Sequence, residues 1–427
     1  MVLLQTSWKN SNLAKKELME KRLIDFLNLL LDFGDEWVVT EIETDHKEKE
    51  VYIYLEYKSD VYEDPHTLEP ARLYDHSEMR QWRHLDIWDY KSYILCRVPR
   101  VKCKDGKVRQ IALGWSSQHD RHTSHFEIRV IDLLQITRNQ SKTAEFMNCS
   151  FRLVNRIIHR CTERGLSRRD KSFFRFEHIS IDEKSFHKGH KYVTVLSHPI
   201  SGVVLDIAEN RDSSATKKLL TEVFTEPQRE LINSVSVDMW KPYLNTVKSV
   251  LPNAELVHDR FHLVKYLNES IDKVRRREVE NNEVLKMSRY ALLKNQENLT
   301  DKQKEKFDLI KDSNLHVAKA WHIKENFKSL FDITHNDTDA RDMIKTWAKD
   351  AISQGISEVN KVVNMFTRHL NGIANALISS FSNAMAERLN GKIQEVKLCG
   401  RGYRRFENFR SAILFFHGNL ELYPRKW

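Results

Sequence analysis

Residues 176–210, FEHISIDEKSFHKGHKYVTVLSHPISGVVLDIAEN, decide the fold. Apolar and polar residues alternate over FEHISID, KYVTVLSHP and GVVLDIAEN, and Ser201-Gly202 marks a turn between the last two. The pattern predicts three strands. Farther along, SSATKKLLTEVF and KPYLNTVKSVL have helical spacing, whereas SVSVDM and AELVHD are typical of strands. The predicted succession is strand, strand, strand, helix, strand, helix, strand.

This succession predicts a mixed α/β sheet in which three hairpin-connected strands come first and crossover units follow, as in RNase H. Residues from about 265 to 380 are rich in Lys, Glu and Leu and nearly free of Gly and Pro. We expect them to be helical throughout and to form an insertion. Trp321 and Trp347 of this stretch could stack on an unpaired base, but a place in a helical core is more usual for Trp.

Two further patterns precede the sheet. Residues 36–57 indicate a β-hairpin, and the β-rich stretch HLDIWDYKSYILCRVPRVKC follows it. Its basic end, RVPRVKCKDGKVR (97–109), has six Lys/Arg against one Asp, which suits either a DNA-contacting module or a solvated hairpin.

Residues 131–165 then show helix-turn-helix spacing, with Ser141 and Ser150 as the expected N-caps. An apolar stripe from Leu153 to Ile158 predicts which side of the second helix is exposed. A helix that reads a DNA groove needs such a polar face, although two helices of any bundle would show it too. The side chains expected to face outward are Arg152, Asn155, Arg156 and Arg160.

Three acids suit metal-dependent chemistry. Asp182 in ISIDEKSF and Asp238 in VSVDMW are expected to end their strands at one sheet edge, and neighbouring strands lie about 5 Å apart. Glu387 lies on the polar face of the amphipathic helix in SFSNAMAERLNGKIQEVK. Carboxylate oxygens are the ligands that Mg²⁺ prefers. Asp259 in LVHDRFHLVK is a competing acid, and a helix N-cap is its alternative role.

The composition sets broader limits. The 427 residues exceed what one hydrophobic core usually serves, and the net charge of +9 favours a polyanionic partner. Five cysteines without CxxC spacing indicate neither a disulfide framework nor an intact zinc site. We find no run of about eighteen apolar residues, so we expect a cytoplasmic protein without a membrane span.

The sequence resembles the DDE transposases of bacterial insertion sequences, specifically the ISL-three group, from about residue 50 to 420. The motifs that carry the resemblance are YDHSEMRQWRHLDI, RVPRVKC, IDEKSFHKGHKYVTVL, VDMWKPY, HDRFHLVK and SNAMAERLNGKIQEVKLCGRGYRRFENFR. The resemblance implies an RNase H-like core in which Asp182, Asp238 and Glu387 are the catalytic acids and the ligands of Mg²⁺, for which Mn²⁺ could substitute.

The resemblance also implies an activity and partners. Such an enzyme binds the terminal inverted repeats of its element, nicks double-stranded DNA there and joins the freed 3′-hydroxyl to target DNA. A homodimer or larger assembly at the nucleoid is expected, since two ends must be held together. An inactive or domesticated transposase that acts as a DNA-binding regulator, and an RNase H-type nuclease that does not join ends, are the alternatives.

The sequence departs from this family near the amino terminus. Related proteins carry a zinc ribbon of paired Cys or Cys/His, but EDPHTLEP (63–70) lacks cysteine and only Cys103 remains of the second pair. His66, His76 and Cys103 could be a remnant, yet their irregular spacing argues against a closed tetrahedral site. We therefore expect no zinc and a β-module held together by its apolar face.

The expected fold class is multidomain α+β and α/β. Its parts are a β-rich, degenerate zinc-ribbon-like DNA-binding module (1–130), a helix-turn-helix (131–170), an RNase H-like catalytic domain (171–268 and 381–427) and the helical insertion between them (269–380). In LCGRGYRRFENFR (398–410) we expect aromatics to fix the segment to the core while arginines project towards DNA. The expected DNA-contacting residues are Arg97, Arg100, Lys102, Arg152, Asn155, Arg156, Arg160, Arg260, Lys392, Arg401, Arg404, Arg405 and Arg410.

Overall fold

A computed structural model describes the chain over residues 18–31, 33–117, 119–169, 177–187, 191–333, 336–379 and 383–424, without the side chains of 187, 191 and 383–387. The chain divides into two compact units. Unit 1 comprises Met1–Arg168 and Glu421–Trp427, and unit 2 comprises Arg169–Leu420. Within the described ranges no helix combines the length and the apolar character needed to cross a membrane.

Unit 1 contains a helix, α1 (residues 18–31), and two four-stranded sheets. The strands are β1 (Trp37–Asp45), β2 (Glu50–Tyr57), β3 (Tyr62–Glu63), β4 (Pro70–His76), β5 (Arg80–Arg83), β6 (Lys91–Cys96), β7 (Pro99–Lys102) and β8 (Val108–Gln110). The sheet orders are β1-β2-β6-β5 and β3-β4-β7-β8. β1 and β2 pair antiparallel, which confirms the predicted hairpin. Both sheets contribute to one core, in which Trp115 packs edge-on against Trp37 and Trp82.

Three helices complete unit 1: α2 (Ser124–Thr137), α3 (Gln140–Phe146) and α4 (Phe151–Arg168). The predicted cap of α3 is wrong, because α3 starts at Gln140 and the Asn139 side chain accepts from the Lys142 N–H at 3.0 Å. The cap of α4 is confirmed, since Ser150 Oγ accepts from the Leu153 N–H at 3.2 Å. Of the apolar stripe predicted for α4, Val154, Ile157 and Ile158 are buried and Leu153 is half-buried.

Residues 421–424, which we call the C-terminal strap, are held by residues of α2 and α4. The Leu422 carbonyl accepts from the Arg164 guanidinium, whose Nε lies 3.1 Å away, and the Leu422 side chain is buried. The Tyr423 hydroxyl donates to Asp132 at 2.9 Å, and the Tyr423 carbonyl accepts from Arg168 at 2.7 Å. The chain thus returns to unit 1 after it has formed unit 2.

A five-stranded sheet forms one part of unit 2. Its elements follow in the order β9 (His178–His187), β10 (Lys191–Ser197), β11 (Val204–Glu209), α5 (Ser213–Val223), α6 (Glu226–Glu230), β12 (Ser234–Val237), α7 (Lys241–Val250) and β13 (Glu255–His258). The strand order is β11-β10-β9-β12-β13, antiparallel on the β10 side of β9 and parallel on the β12 side. The predicted succession is confirmed; the short helix α6 is an addition.

Helices make up the rest of unit 2. They are α8 (Arg260–Glu278), α9 (Arg289–Leu293), α10 (Asp301–Lys311), α11 (His316–Ile333), α12 (Asp337–Ser353), α13 (Ser357–Arg368), α14 (Leu370–Ile378), α15 (Asn383–Cys399) and α16 (Phe406–His417). Helices α8 to α14 have a core of their own, in which Trp347 packs against Phe327 and Phe366. Trp321 and Trp347 are both buried, and the Trp347 indole donates to the Ile323 carbonyl. Their expected core role is therefore confirmed, and neither ring is presented to a base.

Helix α14 packs closely against β13. A Cβ atom placed on Gly372 would lie 2.6 Å from two ring atoms of His258, so only glycine permits this approach. Nearby, the Asn375 side-chain amide donates to the Leu256 carbonyl at 3.0 Å. His258 itself is buried, and its Nδ1 is 3.1 Å from the Val237 carbonyl oxygen. The helical part of unit 2 is thereby fixed to the edge strand beside the predicted acids.

Candidate active site

Three aspartates directly follow paired residues of three neighbouring strands. The register pairs Ile181 of β9 with Val237 of β12, and Val237 with His258 of β13. Asp182 is the next residue within β9, whereas Asp238 and Asp259 come directly after the last residues of β12 and β13. One expectation is wrong: Asp182 does not end its strand, because pairing with β10 continues β9 to His187. Asp182 instead lies where the adjacent β12 ends.

His262 lies between the first two of these aspartates. Its Nε2 is 3.4 Å from Asp182 Oδ1, and its Nδ1 is 3.5 Å from Asp238 Oδ2. The local sequence explains this position, because Asp259 accepts from the Phe261 N–H at 2.8 Å and starts α8 directly after β13. The expected N-cap role of Asp259 is confirmed. His262, on the first turn of that helix, is thereby brought over the two carboxylates.

Backbone and side-chain donors fix both carboxylates. Asp182 accepts from the Glu183 N–H at 2.7 Å, and its other oxygen is 2.7 Å from Lys184 Nζ. Asp238 accepts from the Met239 N–H at 2.6 Å and from the Tyr266 hydroxyl at 3.2 Å. The side chains of Asp182 and Asp238 are only 19% and 14% exposed. The pair is therefore ordered yet still reachable from solvent.

Contacts between the acidic and basic side chains of this site shift their pKa values. Burial by itself raises the pKa of Asp182, but His262 and Lys184 outweigh it and hold that pKa at about 2. Burial by itself lowers the pKa of His262, but Asp182 and Asp238 outweigh it and the pKa is raised. Burial raises the pKa of Asp259. Asp182 is thus a carboxylate at neutral pH, and cationic groups are attracted to it.

Glu387 stands on α15, but its side chain lies outside the described part of the chain. Its distance from the two aspartates therefore stays a prediction. The stripe predicted for this helix is confirmed where it is described, since Leu389, Ile393 and Val396 are buried. Lys397 of the same helix donates to the Ser185 carbonyl of β9 at 2.9 Å. The helix that carries Glu387 thus contacts the strand that carries Asp182.

The segment 398–410 is anchored as expected. Phe409 stacks on Phe186 of β9 with ring centroids 5.2 Å apart, Phe406 meets the same ring edge-on, and Tyr403 packs against Phe409. Arg401, Arg404 and Arg405 are exposed. Aromatic side chains therefore hold the segment while these three arginines face solvent.

Other expected DNA contacts differ in exposure. Arg97, Lys102, Arg152, Arg156 and Lys392 are exposed, whereas Asn155 is half-buried. Arg260 is also half-buried, with its guanidinium 4.4 Å from the centre of the Phe331 ring.

For three arginines an acidic partner within the chain was missed. Arg410 forms a bidentate pair with Asp206, with contacts of 2.7 and 2.8 Å, and Arg100 forms one with Asp75. Arg160 pairs with the buried Asp120. Arg160 therefore contacts Asp120 rather than facing outward as expected, whereas a DNA contact by Arg100, Arg160 or Arg410 stays a prediction. The guanidiniums of Arg160 and Arg410 bind carboxylates of their own unit.

Sequence reasoning also missed a buried ionic cluster in unit 1. Asp120, His122 and Glu127 are each no more than 2% exposed, and Arg164 pairs with Glu127 as Arg160 does with Asp120. The spacing of Arg160 and Arg164, one helical turn apart on α4, is a signal that could have paired them with two acids. The cluster joins α4 to α2 and to the loop before it.

Comparison with known proteins gives the class. Residues 179–413 match the ISL3-type DDE family model, which is described as a transposase, and residues 68–106 match the zinc-finger of transposase IS204/IS1001/IS1096/IS1165. The chain therefore belongs to the ISL3 family of DDE transposases, as the resemblance implied.

Two relatives place it more narrowly among insertion-sequence proteins. The chain is 28% identical over 342 residues to the transposase for insertion sequence element IS1001 of Bordetella parapertussis, which covers 78% of this chain and 82% of that protein. It is 26% identical over 357 residues to the transposase for insertion sequence element IS1557 of Mycobacterium tuberculosis, covering 76% and 79%.

Membership of this family implies a divalent metal ion, and the described residues fit one. Asp182 and Asp238, both of which are contacted by His262, offer hard oxygen donors, and the low pKa of Asp182 keeps its donor deprotonated. Lys184 already places an ammonium group against Asp182, and contact with both aspartates raises the pKa of His262. The two carboxylates thus favour positive charge, as a divalent ion requires.

Proposed function

We propose that this protein is an active insertion-sequence transposase. It would bind the terminal inverted repeats of its element, cleave the DNA at the element ends and join the 3′-hydroxyl to target DNA. The observation that carries the proposal is the pair of Asp182 and Asp238, each directly after one member of the last residue pair between β9 and β12, and bridged by His262 within the segment that matches the family.

Asp182 and Asp238, with Glu387 as the proposed third acid, would hold Mg²⁺, and Mn²⁺ would substitute for it. When bound, such ions activate a water or 3′-hydroxyl and stabilise the leaving oxygen of an in-line displacement at phosphorus. The backbone N–H groups of Glu183 and Met239 orient the two carboxylates. Lys184, which is partly exposed, is suited to contact a phosphate oxygen of the DNA.

The RNase H-like assignment belongs to the same proposal. It is supported by the five-stranded order β11-β10-β9-β12-β13 and by the anchoring of α15 to β9 through Lys397. The five-part division made from the sequence is retained as a proposal, with α8 to α14 as the insertion that precedes the glutamate helix.

DNA recognition is proposed for two exposed basic surfaces. In unit 1, α3 and α4 would act as a helix-turn-helix, with Arg152 and Arg156 on the exposed face of α4. In unit 2, the surface formed by Arg401, Arg404 and Arg405 would contact phosphates. We further propose a homodimer or larger assembly acting on double-stranded DNA at the bacterial nucleoid, since two element ends must be processed together.

The test is cleavage of a duplex that carries the element end, with Mg²⁺, by the full chain and by Asp182→Asn, Asp238→Asn and Glu387→Gln. Each change removes a proposed ligand, so we expect cleavage to fall by more than about 100-fold, beyond the usual effect of losing a ligand's supporting contact. End binding, measured by gel shift, should be retained. Asp308→Asn, an exposed acid on α10, is the matched control.

A variant that cleaves at the wild-type rate would remove its residue from the site. A pre-cleaved 3′-hydroxyl end offered with a target plasmid separates joining from hydrolysis. Joined products support the transposase, and hydrolysis alone would identify a nuclease. End binding without any metal-dependent cleavage would identify a DNA-binding regulator.

A further inference from the structure

Unit 1 contains a second charged cluster, of which Cys103 and Asp105 lie within the region 68–106 that matches the zinc-finger model, whereas Asp64 and Arg109 lie just outside it. Asp64 directly follows β3, and Cys103 and Asp105 lie in the turn between β7 and β8. Their ligand atoms all lie within 4.8 Å of one another. Asp64 and Cys103 are buried. Two turns that are about forty residues apart in the chain thus meet through three potential metal ligands.

A cationic side chain already lies among these ligands. Arg109 of β8 places Nη1 3.1 Å from Asp64 Oδ2 and 2.9 Å from Asp105 Oδ1. Its Nη2 is 2.5 Å from the second oxygen of Asp105. The Arg109 side chain is only 20% exposed. A single guanidinium therefore connects the turn after β3 with the turn after β7.

Hydrogen bonds close each turn around its acid. In the first, the His66 N–H donates to Asp64 Oδ1 at 2.9 Å. In the second, the Lys107 N–H donates to Asp105 Oδ1 at 3.0 Å, and Gly106, at φ +80°, donates to the Cys103 carbonyl. Both carboxylates are thereby held by backbone on one side and face Arg109 on the other.

These residues do not fit a structural zinc ion. Such sites use four Cys or His ligands in a closed tetrahedron, whereas this cluster offers one thiol and two carboxylates. His66 and His76, the expected remnant ligands, are exposed and outside the cluster among the described residues.

We propose that Arg109 takes the place of zinc in this ribbon, so that its guanidinium holds together the two turns that a metal ion holds in the related zinc-finger. A guanidinium is suited to this position because it is planar, permanently charged and has five donors that match carboxylate oxygens. The ribbon then folds without metal. This inference is independent of the catalytic proposal, since it concerns unit 1 alone.

The first experiment measures bound zinc and thermal unfolding of the wild-type full chain. We expect far less than one zinc per chain by elemental analysis, and the same Tm with and without the zinc chelator 1,10-phenanthroline. One tightly held zinc per chain, lost together with stability on chelation, would overturn the proposal. This measurement tests the proposal even if every variant misfolds, because it uses the wild-type chain.

The second experiment compares Arg109→Met with Lys107→Met, an exposed cation of the same turn. Loss of Arg109 leaves Asp64 and Asp105 without their shared counter-charge, so we expect its Tm to fall by about 5 °C, against little change for the control. Added Zn²⁺ should not restore that loss, because the variant still offers one thiol and two carboxylates rather than four Cys or His ligands. A Tm equal to that of the control, or full restoration by Zn²⁺, would contradict the proposal.

Discussion

His262 shows how one residue can set the state of the acidic pair. Its imidazole contacts Asp182 and Asp238 at once, and all three side chains are largely buried. Two neighbouring carboxylates repel each other when nothing positive lies between them, so the imidazole or a metal ion must balance their charge. The residue is therefore a positioning group for the metal-free site.

His262→Gln tests this role. Without the imidazole the two carboxylates lack a shared counter-charge, so we expect the metal-free Tm to fall by about 2–5 °C. The rise in Tm on adding Mg²⁺ should become larger than in the wild type. Thermal unfolding with and without Mg²⁺ measures both effects. Lys265→Gln, exposed on the same helix, should behave as wild type, and an unchanged response to Mg²⁺ in His262→Gln would refute the idea.

A second histidine, His84 of unit 1, predicts acid sensitivity. Burial first, and then the neighbouring His125 and Arg83, lower its pKa to about 3, so the folded protein keeps it neutral. The unfolded chain binds a proton near the ordinary pKa of about 6.5. Between these values the unfolded state binds more protons, so this contribution to stability is complete above pH 6.5 and decreases as pH falls towards 3.

His84→Gln should reduce that dependence. Between pH 7 and pH 5 one such histidine costs the wild type about 2 kcal/mol of unfolding free energy, at about 1.4 kcal/mol per pH unit below the unfolded pKa. Urea unfolding at both pH values measures the difference. The exposed control His76→Gln should keep the full wild-type pH dependence. If His84 were protonated in the folded wild type, His84→Gln would also keep that dependence, which would contradict the prediction.

At the scale of elements, patterns among adjacent residues predicted secondary structure, but they did not reveal contacts between residues far apart in the chain. The strands of the five-stranded sheet and the helices between them were predictable, because alternation and helical spacing are visible in short stretches of sequence. The true length of β9 depends on pairing with β10, so Asp182, which lies inside the strand, was predicted to end it. The ion pairs of Arg410 and Arg160 were not predicted because Asp206 and Asp120 lie far from them in the chain. Only the fold reveals those pairs.

Helix α14 offers a direct test of packing. Gly372→Ala would place a methyl group 2.6 Å from the His258 ring, which is buried and hydrogen-bonded. Overpacking costs about 1–3 kcal/mol, against about 1 kcal/mol gained by removing a helical glycine. Because the ring has little room to move, we expect a net loss of stability in thermal unfolding.

The matched control is Gly391→Ala on α15, where a Cβ atom would meet nothing within 4 Å. There only the gain in helix propensity applies, so the Tm should rise slightly. Equal responses of the two variants would mean that α14 does not approach β13 as closely as described.

At the scale of the whole molecule, the net charge of +9 is distributed unevenly. Arg100, Arg160 and Arg410 are used for internal ion pairs, whereas Arg401, Arg404 and Arg405 face solvent. Composition alone predicted a polyanionic partner, but it could not separate structural arginines from exposed ones, since that depends on which acids come close in the fold.

Replacing Arg401, Arg404 and Arg405 together by Gln should therefore weaken DNA binding without unfolding the protein. If each contacts one phosphate, the slope of log K against log salt concentration should decrease by about 0.9 per residue, or about 2.7 in total. Fluorescence anisotropy across salt concentrations measures the slope. Replacing Lys302, Lys304 and Lys319, exposed elsewhere in unit 2, is the control. An equal slope for both triple variants would exclude the arginine surface from the DNA contact.

The C-terminal strap would link the two fragments of a chain that is cleaved after Arg168. A single backbone break after Arg168 would leave two polypeptides, yet the second would still end in residues that belong to unit 1. Leu422 and Tyr423 would remain bound to Arg164, Arg168 and Asp132 of the first. Separately made halves of this protein thus carry their own means of reassembly, which makes the boundary after Arg168 a natural place to split the enzyme.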